Sequence, residues 1–179
     1  MPLLLLDRPT LTVQRVGPAA WPDGVLVVRA AQAATGIPAT TPEALVERTL
    51  RRQHEALGVW HAEAWSARGG SRVVGHALCE TVAPDDPAWS LVEDRVVRRA
   101  LRGGRLVALG GLAVAPGWTG RGIAASLVRA RLDHLSRRDL VACAAVWDTS
   151  AGSLALAHTH GRPVGRHPDR PLGLFVYDR

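Results

Sequence analysis

A glycine-rich loop between a strand pattern and a helix pattern constrains this chain more than any other feature. The apolar run Leu106–Val114 predicts a buried strand, and a helical pattern follows from Gly120 to about Arg138. Where the helical pattern begins, Gly120 and Gly122 leave the backbone without a Cβ that would obstruct a ligand. Such a loop leaves N–H groups bare at the positive end of the helix dipole. The segment therefore predicts a phosphate or pyrophosphate site.

The other patterns along the chain predict one mixed α/β domain over residues 1–179. Its 179 residues, 47% of them hydrophobic, suit a single compact core. The predicted order is β-α-α-β-β-(α)-β-α-β-α-β-β, in which the bracketed helix, about residues 88–102, is an insertion. The other predicted strands cover residues 11–16, 61–68, 72–83, 141–147, 162–166 and 172–178, and the other helices about residues 24–34, 42–57 and 150–160.

Local signals predict how two of these helices begin. Ser90 and Glu93 form the pattern of a capping box for the inserted helix, and Asp94 and Arg98 are spaced for an i,i+4 ion pair. Asp148 is expected to cap the last helix.

The charge of the chain does not indicate a nucleic-acid partner. All 22 basic residues are arginines, and the net charge is +6. They are scattered along the chain, and the densest group, Arg95 to Arg105, has no interleaved aromatic side chains for stacking. We interpret this group as a solvated helix face.

Cysteine and hydropathy patterns exclude several other classes. Cys79 and Cys143 lie in apolar runs outside any metal-binding spacing, so we expect reduced core cysteines, a cytoplasmic protein and no metal site. The opening MPLLLLD lacks the basic residue and the length of a signal peptide. No apolar segment approaches the roughly 20 residues of a membrane helix, so no membrane association is expected.

Two other interpretations of the loop remain open at this point. The glycines fit an ordinary strand-to-helix turn. Gly120 to Ala125 also fits the G-x-G-x-x-A pattern of a dinucleotide-binding fold, with Asp148 as the ribose-binding acid. The chain that remains after Asp148 is too short for the rest of a doubly wound sheet, which disfavours that fold.

The segment Thr119–Ala124 resembles motif A, Q/R-x-x-G-x-G/A, of the GCN5-related N-acetyltransferase (GNAT) superfamily. The predicted element order, from Leu11 to the end of the chain, is also that of the family. The resemblance implies an α/β (α+β) fold with a single mixed, largely antiparallel sheet flanked by helices. It implies acetyl-CoA as cosubstrate, with its pyrophosphate on the loop amides and its pantetheine arm paired with the preceding strand. The residues implied are Thr119, Gly120, Arg121, Gly122, Ile123 and Ala124 for the pyrophosphate, and Leu112, Ala113 and Val114 for the pantetheine arm.

The chain departs from the family pattern at several cofactor positions. Thr119 stands where the family usually has Gln or Arg, which is expected to weaken cofactor binding without abolishing it. Ser150 and Ser153 occupy the positions of the family's N-x-x-A/S pattern, so both are expected to contact the cofactor.

The catalytic positions depart further. Ala157 stands where the family has a tyrosine that protonates the departing thiolate, and the strand before the loop lacks the family's glutamate. Glu80 on the preceding strand is our candidate general base, and His76 on the same strand face could share the role.

The predicted function is therefore acetyl-CoA-dependent transfer of an acetyl group to the amine of a small molecule or peptide. The alternative is a non-catalytic acyl-CoA-binding or interaction domain of the same fold. A homodimer is left open.

Overall fold

The structure is a computed structural model that describes residues 9–35, 41–66 and 70–177. Within these residues the chain forms seven strands and five α-helices in the predicted order. The strands are β1 (Thr10–Val16), β2 (Gly58–Trp65), β3 (Ser71–Thr81), β4 (Leu106–Val114), β5 (Val141–Trp147), β6 (Arg162–Arg166) and β7 (Leu172–Tyr177). The helices are α1 (Trp21–Thr35), α2 (Pro42–Glu55), α3 (Arg95–Arg102), α4 (Ile123–Ser136) and α5 (Ala151–His160), and a 3-10 turn at Pro18–Ala20 precedes α1.

The strands are hydrogen-bonded in the order β1-β2-β3-β4-β5-β7-β6. The pairs β1–β2, β5–β7 and β6–β7 are antiparallel, and β4–β5 is parallel. The expected single mixed, largely antiparallel sheet with flanking helices is confirmed. The parallel register is short: it pairs Leu106–Ala108 with Val141–Cys143, whereas β4 runs on to Val114.

The described residues fall into two compact units. The first contains the described residues up to His54, residues 58–77 and residues 111–127, and therefore holds the whole glycine loop. It buries apolar side chains from α1, α2, β2, β3 and the start of α4. These are Val25, Val27, Leu45, Val59, Trp60, Ala62, Ala64, Val74, Ala77, Ile123 and Leu127.

The second unit contains residues 55–57, 78–110 and the described residues from 128 onward. Its main apolar cluster surrounds the inserted helix α3. Cys79 and Cys143 are both free and buried, as predicted. The cluster consists of Val82, Ala88, Trp89, Val92, Val97, Ala100, Leu101, Leu106, Cys143, Leu174 and Val176.

The inserted helix is shorter than predicted, and its N-cap residue is Asp94 in place of Ser90. The carboxylate of Asp94 accepts hydrogen bonds from the N–H groups of Val96 at 2.9 Å and Val97 at 3.1 Å. The capping box fails because residues before Asp94 are used otherwise: Asp86 accepts from the N–H of Trp89 at 3.1 Å and stabilises a separate turn.

The predicted pair between Asp94 and Arg98 is also wrong. Asp94 forms its ion pair with Arg162 of β6, whose Nη1 donates to the carboxylate at 2.7 Å. The hydrogen bond from Arg162 is the main reason that the pKa of Asp94 lies below its ordinary value.

Other predicted boundaries also move. Ser150, in place of Asp148, is the N-cap residue of α5, because the carboxylate of Asp148 pairs with Arg166 of β6. The strand β2 begins at Gly58, earlier than predicted. Residues 67–69 of the predicted hairpin turn and the opening MPLLLLD lie outside the described residues. Among the described helices, none combines the length and the hydropathy that a membrane crossing requires.

Candidate functional site

The glycine loop leaves β4 in a tight turn that is anchored on the neighbouring strand. The N–H of Ala115 donates a hydrogen bond to the Val74 carbonyl of β3 at 2.8 Å. The N–H of Trp118 donates to the carbonyl of Ala115 at 3.0 Å and closes the turn. Gly120 and Gly122 then adopt φ angles of +74° and +76°, which residues with a Cβ rarely adopt. A Cβ built on either glycine would meet nothing within 4 Å, so the space beside the loop is open.

The start of α4 presents backbone donors to this open space. Ser126 donates its N–H to the Gly122 carbonyl at 2.9 Å. The N–H groups of Ile123, Ala124 and Ala125 precede that bond and belong to the helix turn that has no internal acceptors. Because the partial positive charge of the helix dipole lies at the same end, this turn suits a phosphate group.

One cation belongs to the loop itself. The guanidinium carbon of Arg121 lies 4.8 Å from the ring centroid of Trp118, which is within cation–π range. Arg121 is exposed, and Trp118 is half-buried. The loop therefore combines backbone donors with a positive charge that an aromatic ring orients.

The helix α4 packs on the sheet at Gly75 of β3, which has no side chain. A Cβ on Gly75 of β3 would lie 2.8 Å from Cγ2 of Ile123, and 3.0 Å from both Cβ of Ala62 and Cδ1 of Leu127. Ile123 and Leu127 are the buried residues of the first turns of α4. The absence of a side chain at Gly75 thus allows the donor end of the helix to pack closely on β3.

The strand that precedes the loop bends at a glycine. Gly111 has a φ of +59° within β4, a conformation that favours glycine. The register with β5 ends at Ala108, before this bend. The predicted pantetheine segment Leu112–Val114 follows it and is half-buried.

The two candidate catalytic residues of β3 differ in exposure. Glu80 is half-buried near the end of the strand. His76 is fully buried, and its ring centroid lies 5.5 Å from that of His61 on β2. Gly24 of α1 lies over both rings, since a Cβ there would be 2.5 Å from Nδ1 of His76 and 2.6 Å from Nε2 of His61. His76 is thus packed under α1 and has no exposed surface.

Burial changes the acid–base behaviour of His61. Desolvation lowers the pKa of His61, and the charges of Asp23 and Glu63 oppose that shift without cancelling it. The neutral form of His61 is therefore favoured in the folded protein.

The predicted residues of α5 form a small polar group beside a buried alanine. Ser150 donates its hydroxyl to Oγ of Ser153 at 2.8 Å. Ala157 is buried at 1% exposure, so a tyrosine at this position would displace its neighbours. His158 is exposed, with its ring edge-on to Phe175 at a centroid distance of 4.9 Å.

The structure also brings forward a residue that sequence reasoning missed. Arg131 of α4 is 1% exposed, and its Nη1 donates to the carbonyls of Leu78 at 3.1 Å and Gly110 at 3.2 Å. Its spacing was the available signal: it lies four residues from both Leu127 and Leu135, on the apolar stripe of the helix.

A sequence model of the acetyltransferase (GNAT) family matches residues 32–162. The chain belongs to this family. The resemblance inferred from motif A and the element order is thereby confirmed. No curated protein sequence matches the chain.

Solved structures of other proteins share the fold at low sequence identity. The PaiA N-acetyltransferase from Thermoplasma acidophilum, solved in complex with coenzyme A, matches with a TM-score of 0.64 at 11% identity, covering 95% of this chain and 99% of that one. A GNAT acetyltransferase from Brucella melitensis in complex with acetyl-CoA matches with a TM-score of 0.60 at 15% identity, over 95% and 90% of the two chains. FeeM, an N-acyl amino acid synthase from uncultured soil microbes, matches with a TM-score of 0.67 at 14% identity, over 94% and 90%.

Proposed function

We propose that this GNAT protein is an acetyl-CoA-dependent N-acetyltransferase. The observation that carries the proposal is the loop, in which Gly120 and Gly122 hold the backbone open beside the donor end of α4. Relatives of the same fold were solved with coenzyme A or acetyl-CoA, which supports the same ligand here.

The residues of the loop fit the pyrophosphate of coenzyme A. Amides from Thr119 to Ala124 would donate to its oxygens, and Arg121 would add a charge-assisted contact. Because these donors belong mainly to the backbone, Thr119 in place of Gln or Arg removes a side-chain contact and leaves the cradle intact. The main chain of Leu112–Val114 would pair with the pantetheine arm as an added strand.

The chemistry requires a neutral amine, a polarised carbonyl and a leaving thiolate. When bound, acetyl-CoA supplies a thioester whose acetyl group moves to the amine nitrogen as the C–N bond forms and the C–S bond breaks. Glu80 would accept the proton that the amine loses. A backbone N–H near Val114 would donate to the carbonyl oxygen as it gains negative charge.

The leaving thiolate needs no dedicated acid in this scheme. A thiol with a pKa near that of cysteine, about 8.5, leaves as a thiolate near neutral pH and takes its proton from water. This fits Ala157, which is buried and carries no proton donor. The acceptor would be an amine of a small molecule or a peptide, and the buried free cysteines fit a cytoplasmic location.

A second candidate function is a non-catalytic acyl-CoA-binding domain. The alanine at position 157 and the absence of an acidic residue from β4 favour it. The two candidates differ in turnover and share the ligand.

One experiment tests the proposal and separates the two candidates. The protein is titrated with coenzyme A and with acetyl-CoA by calorimetry, and free thiol is then followed with acetyl-CoA and a panel of amines. Saturable binding together with amine-dependent thiol release supports the transferase. Binding without release from any amine would assign the non-catalytic role, and the lack of binding to either ligand would refute both.

A further inference from the structure

We propose that Arg131 is a positioning residue that holds the main chain of β4 in the shape that the cosubstrate-binding segment requires. The inference rests on the proposed function, because that segment, Leu112–Val114, is the one assigned above to the pantetheine arm. Arg131 would touch neither substrate nor cosubstrate. It would act through the carbonyl of Gly110.

The contacts of Arg131 fall where β4 has just left its parallel partner. The last pair between β4 and β5 is Ala108 with Cys143, and Nη1 of Arg131 binds the Gly110 carbonyl at 3.2 Å. The same nitrogen binds the Leu78 carbonyl of β3 at 3.1 Å. One guanidinium nitrogen therefore bridges β3 and β4 immediately before the bend at Gly111.

The bend is the part of β4 with the least conformational restraint of its own. Gly110 and Gly111 are adjacent, and Gly111 has a φ of +59°. Glycine loses more backbone freedom on ordering than any other residue, so two in sequence need an external restraint. The hydrogen bond to the Gly110 carbonyl provides one, and the direction of the following strand residues depends on it.

An arginine is a costly choice for this buried position. Burial lowers the pKa of Arg131, although a guanidinium stays charged in proteins, and a buried cation requires compensating contacts. Leu127 and Leu135, one turn away on either side, are 0% and 1% exposed, so a leucine fits this stripe of α4. What arginine adds over leucine is a pair of charge-assisted hydrogen bonds to main-chain carbonyls.

The phenol of Tyr177 does not pair with Arg131 as an anion. Tyr177 and Cys79 are the groups whose charge would act on Arg131. Burial raises the pKa of Tyr177 to about 12, so its phenol is protonated and neutral at physiological pH. The proposal rests on the hydrogen bonds from Arg131 to the carbonyls of Leu78 and Gly110.

The test compares Arg131→Met with Leu135→Ala, a core variant of the same helix that should lose similar thermal stability. Hydrogen exchange of residues 109–114 is measured by mass spectrometry on the free proteins, and the Kd for coenzyme A by calorimetry. Arg131→Met should speed exchange in 109–114 and raise the Kd about tenfold. Leu135→Ala should leave both unchanged. Arg129→Met, an exposed arginine of α4, controls for the loss of charge.

The two readouts separate this proposal from the proposed function. If the wild-type protein does not bind coenzyme A, the proposed function fails, and exchange at 109–114 still decides whether Arg131 restrains β4. A folded Arg131→Met variant with wild-type exchange and wild-type Kd would overturn the positioning role. If Arg131→Met does not fold, Arg131→Lys tests the positioning role instead. Lysine keeps the positive charge, but its ammonium group does not place its donors as a guanidinium does. Arg131→Lys should increase hydrogen exchange in residues 109–114 less than expected for Arg131→Met. Exchange at the wild-type rate in these residues would overturn the proposal.

Discussion

Gly75 of β3 and Ile123 of α4 are packed so closely that the Cβ missing from the glycine would lie 2.8 Å from Cγ2 of the isoleucine. Real Cβ atoms essentially never approach other carbons this closely, so a side chain at position 75 requires Ile123 or the helix that carries it to shift. The first turn of α4 carries the donors of the candidate site. This contact therefore links strand packing to the geometry of the loop.

We expect Gly75→Ala to destabilise the protein by about 1–3 kcal/mol through overpacking, measured by urea denaturation. Gly165→Ala is the matched control, because the nearest atom to its Cβ, on Val92, is 4.0 Å away. That variant should be neutral or slightly more stable. Ile123→Ala removes the methyl group that the new Cβ would contact, so the double variant should lose less stability than the sum of the single ones. Full additivity would contradict the contact.

Gly122→Glu should raise the Kd for coenzyme A at least tenfold, about 1.4 kcal/mol, because it sets a negative charge and a side chain beside the loop amides. Gly104→Glu matches it in charge and in backbone strain, since Gly104 has a φ of +63° and open space, but lies in the turn before β4. Calorimetry should show wild-type affinity for Gly104→Glu. Equal affinity of both variants would reject the loop as the pyrophosphate site.

Glu80→Gln should lower kcat about 10²-fold with little change in the Kd for coenzyme A, because glutamine keeps the size of the side chain and removes the proton acceptor. The rate is measured with an amine found in the panel, and the acidic limb of the pH–rate profile should disappear. Glu93→Gln, at an exposed position, is the control. A Glu80→Gln variant with wild-type turnover would move the role to water or to His76.

Stability should fall as the pH drops below about 6.5, because the pKa of His61 is lower in the folded state than its ordinary value of 6.5. Below that pH, His61 of the unfolded chain binds a proton that His61 of the folded chain does not bind. The stabilisation of the folded state is therefore complete above pH 6.5, and it decreases as the pH falls from 6.5 toward the pKa of His61 in the folded protein. One such proton changes the free energy of unfolding by about 1.4 kcal/mol per pH unit.

Urea denaturation between pH 7.5 and 5 tests this dependence. His61→Gln should flatten it, with His160→Gln as the control for replacing a histidine. The groups that act on His61 are Asp23 of α1, Glu63 of β2 and the ring of His76 on β3. An unchanged slope in His61→Gln would exclude His61 as its source.

The strands that precede and follow α4 in the chain, β4 and β5, could be predicted from the sequence with their exact limits. Both strands are near-continuous apolar runs that end at polar or turn-forming residues, and hydrophobic patterning alone defines such segments. The cap of α3 could not be predicted in this way. Ser90 and Asp94 both satisfy local rules, and Arg162, 68 residues from Asp94, contributes a contact that local rules do not contain.

Some features of the candidate site could likewise be predicted from the sequence, and others could not. Gly120 and Gly122 could be found from the sequence because backbone positions with positive φ angles favour glycine. The burial of His76 under Gly24 and the bridge from Arg131 depend on which strand faces meet which helices. Sequence spacing places Arg131 on the apolar stripe of α4, yet it does not say which carbonyls lie opposite.

The proposed anion cradle of the loop consists of main-chain N–H groups, and main-chain atoms are the same in every residue. Natural selection can therefore replace the side chains at positions 119, 121 and 124 while the donors stay in place, provided that the glycines keep the backbone turned. A site of this kind diverges in sequence faster than it diverges in shape. The proteins from Thermoplasma and Brucella share the fold of this chain at only 11% and 15% sequence identity.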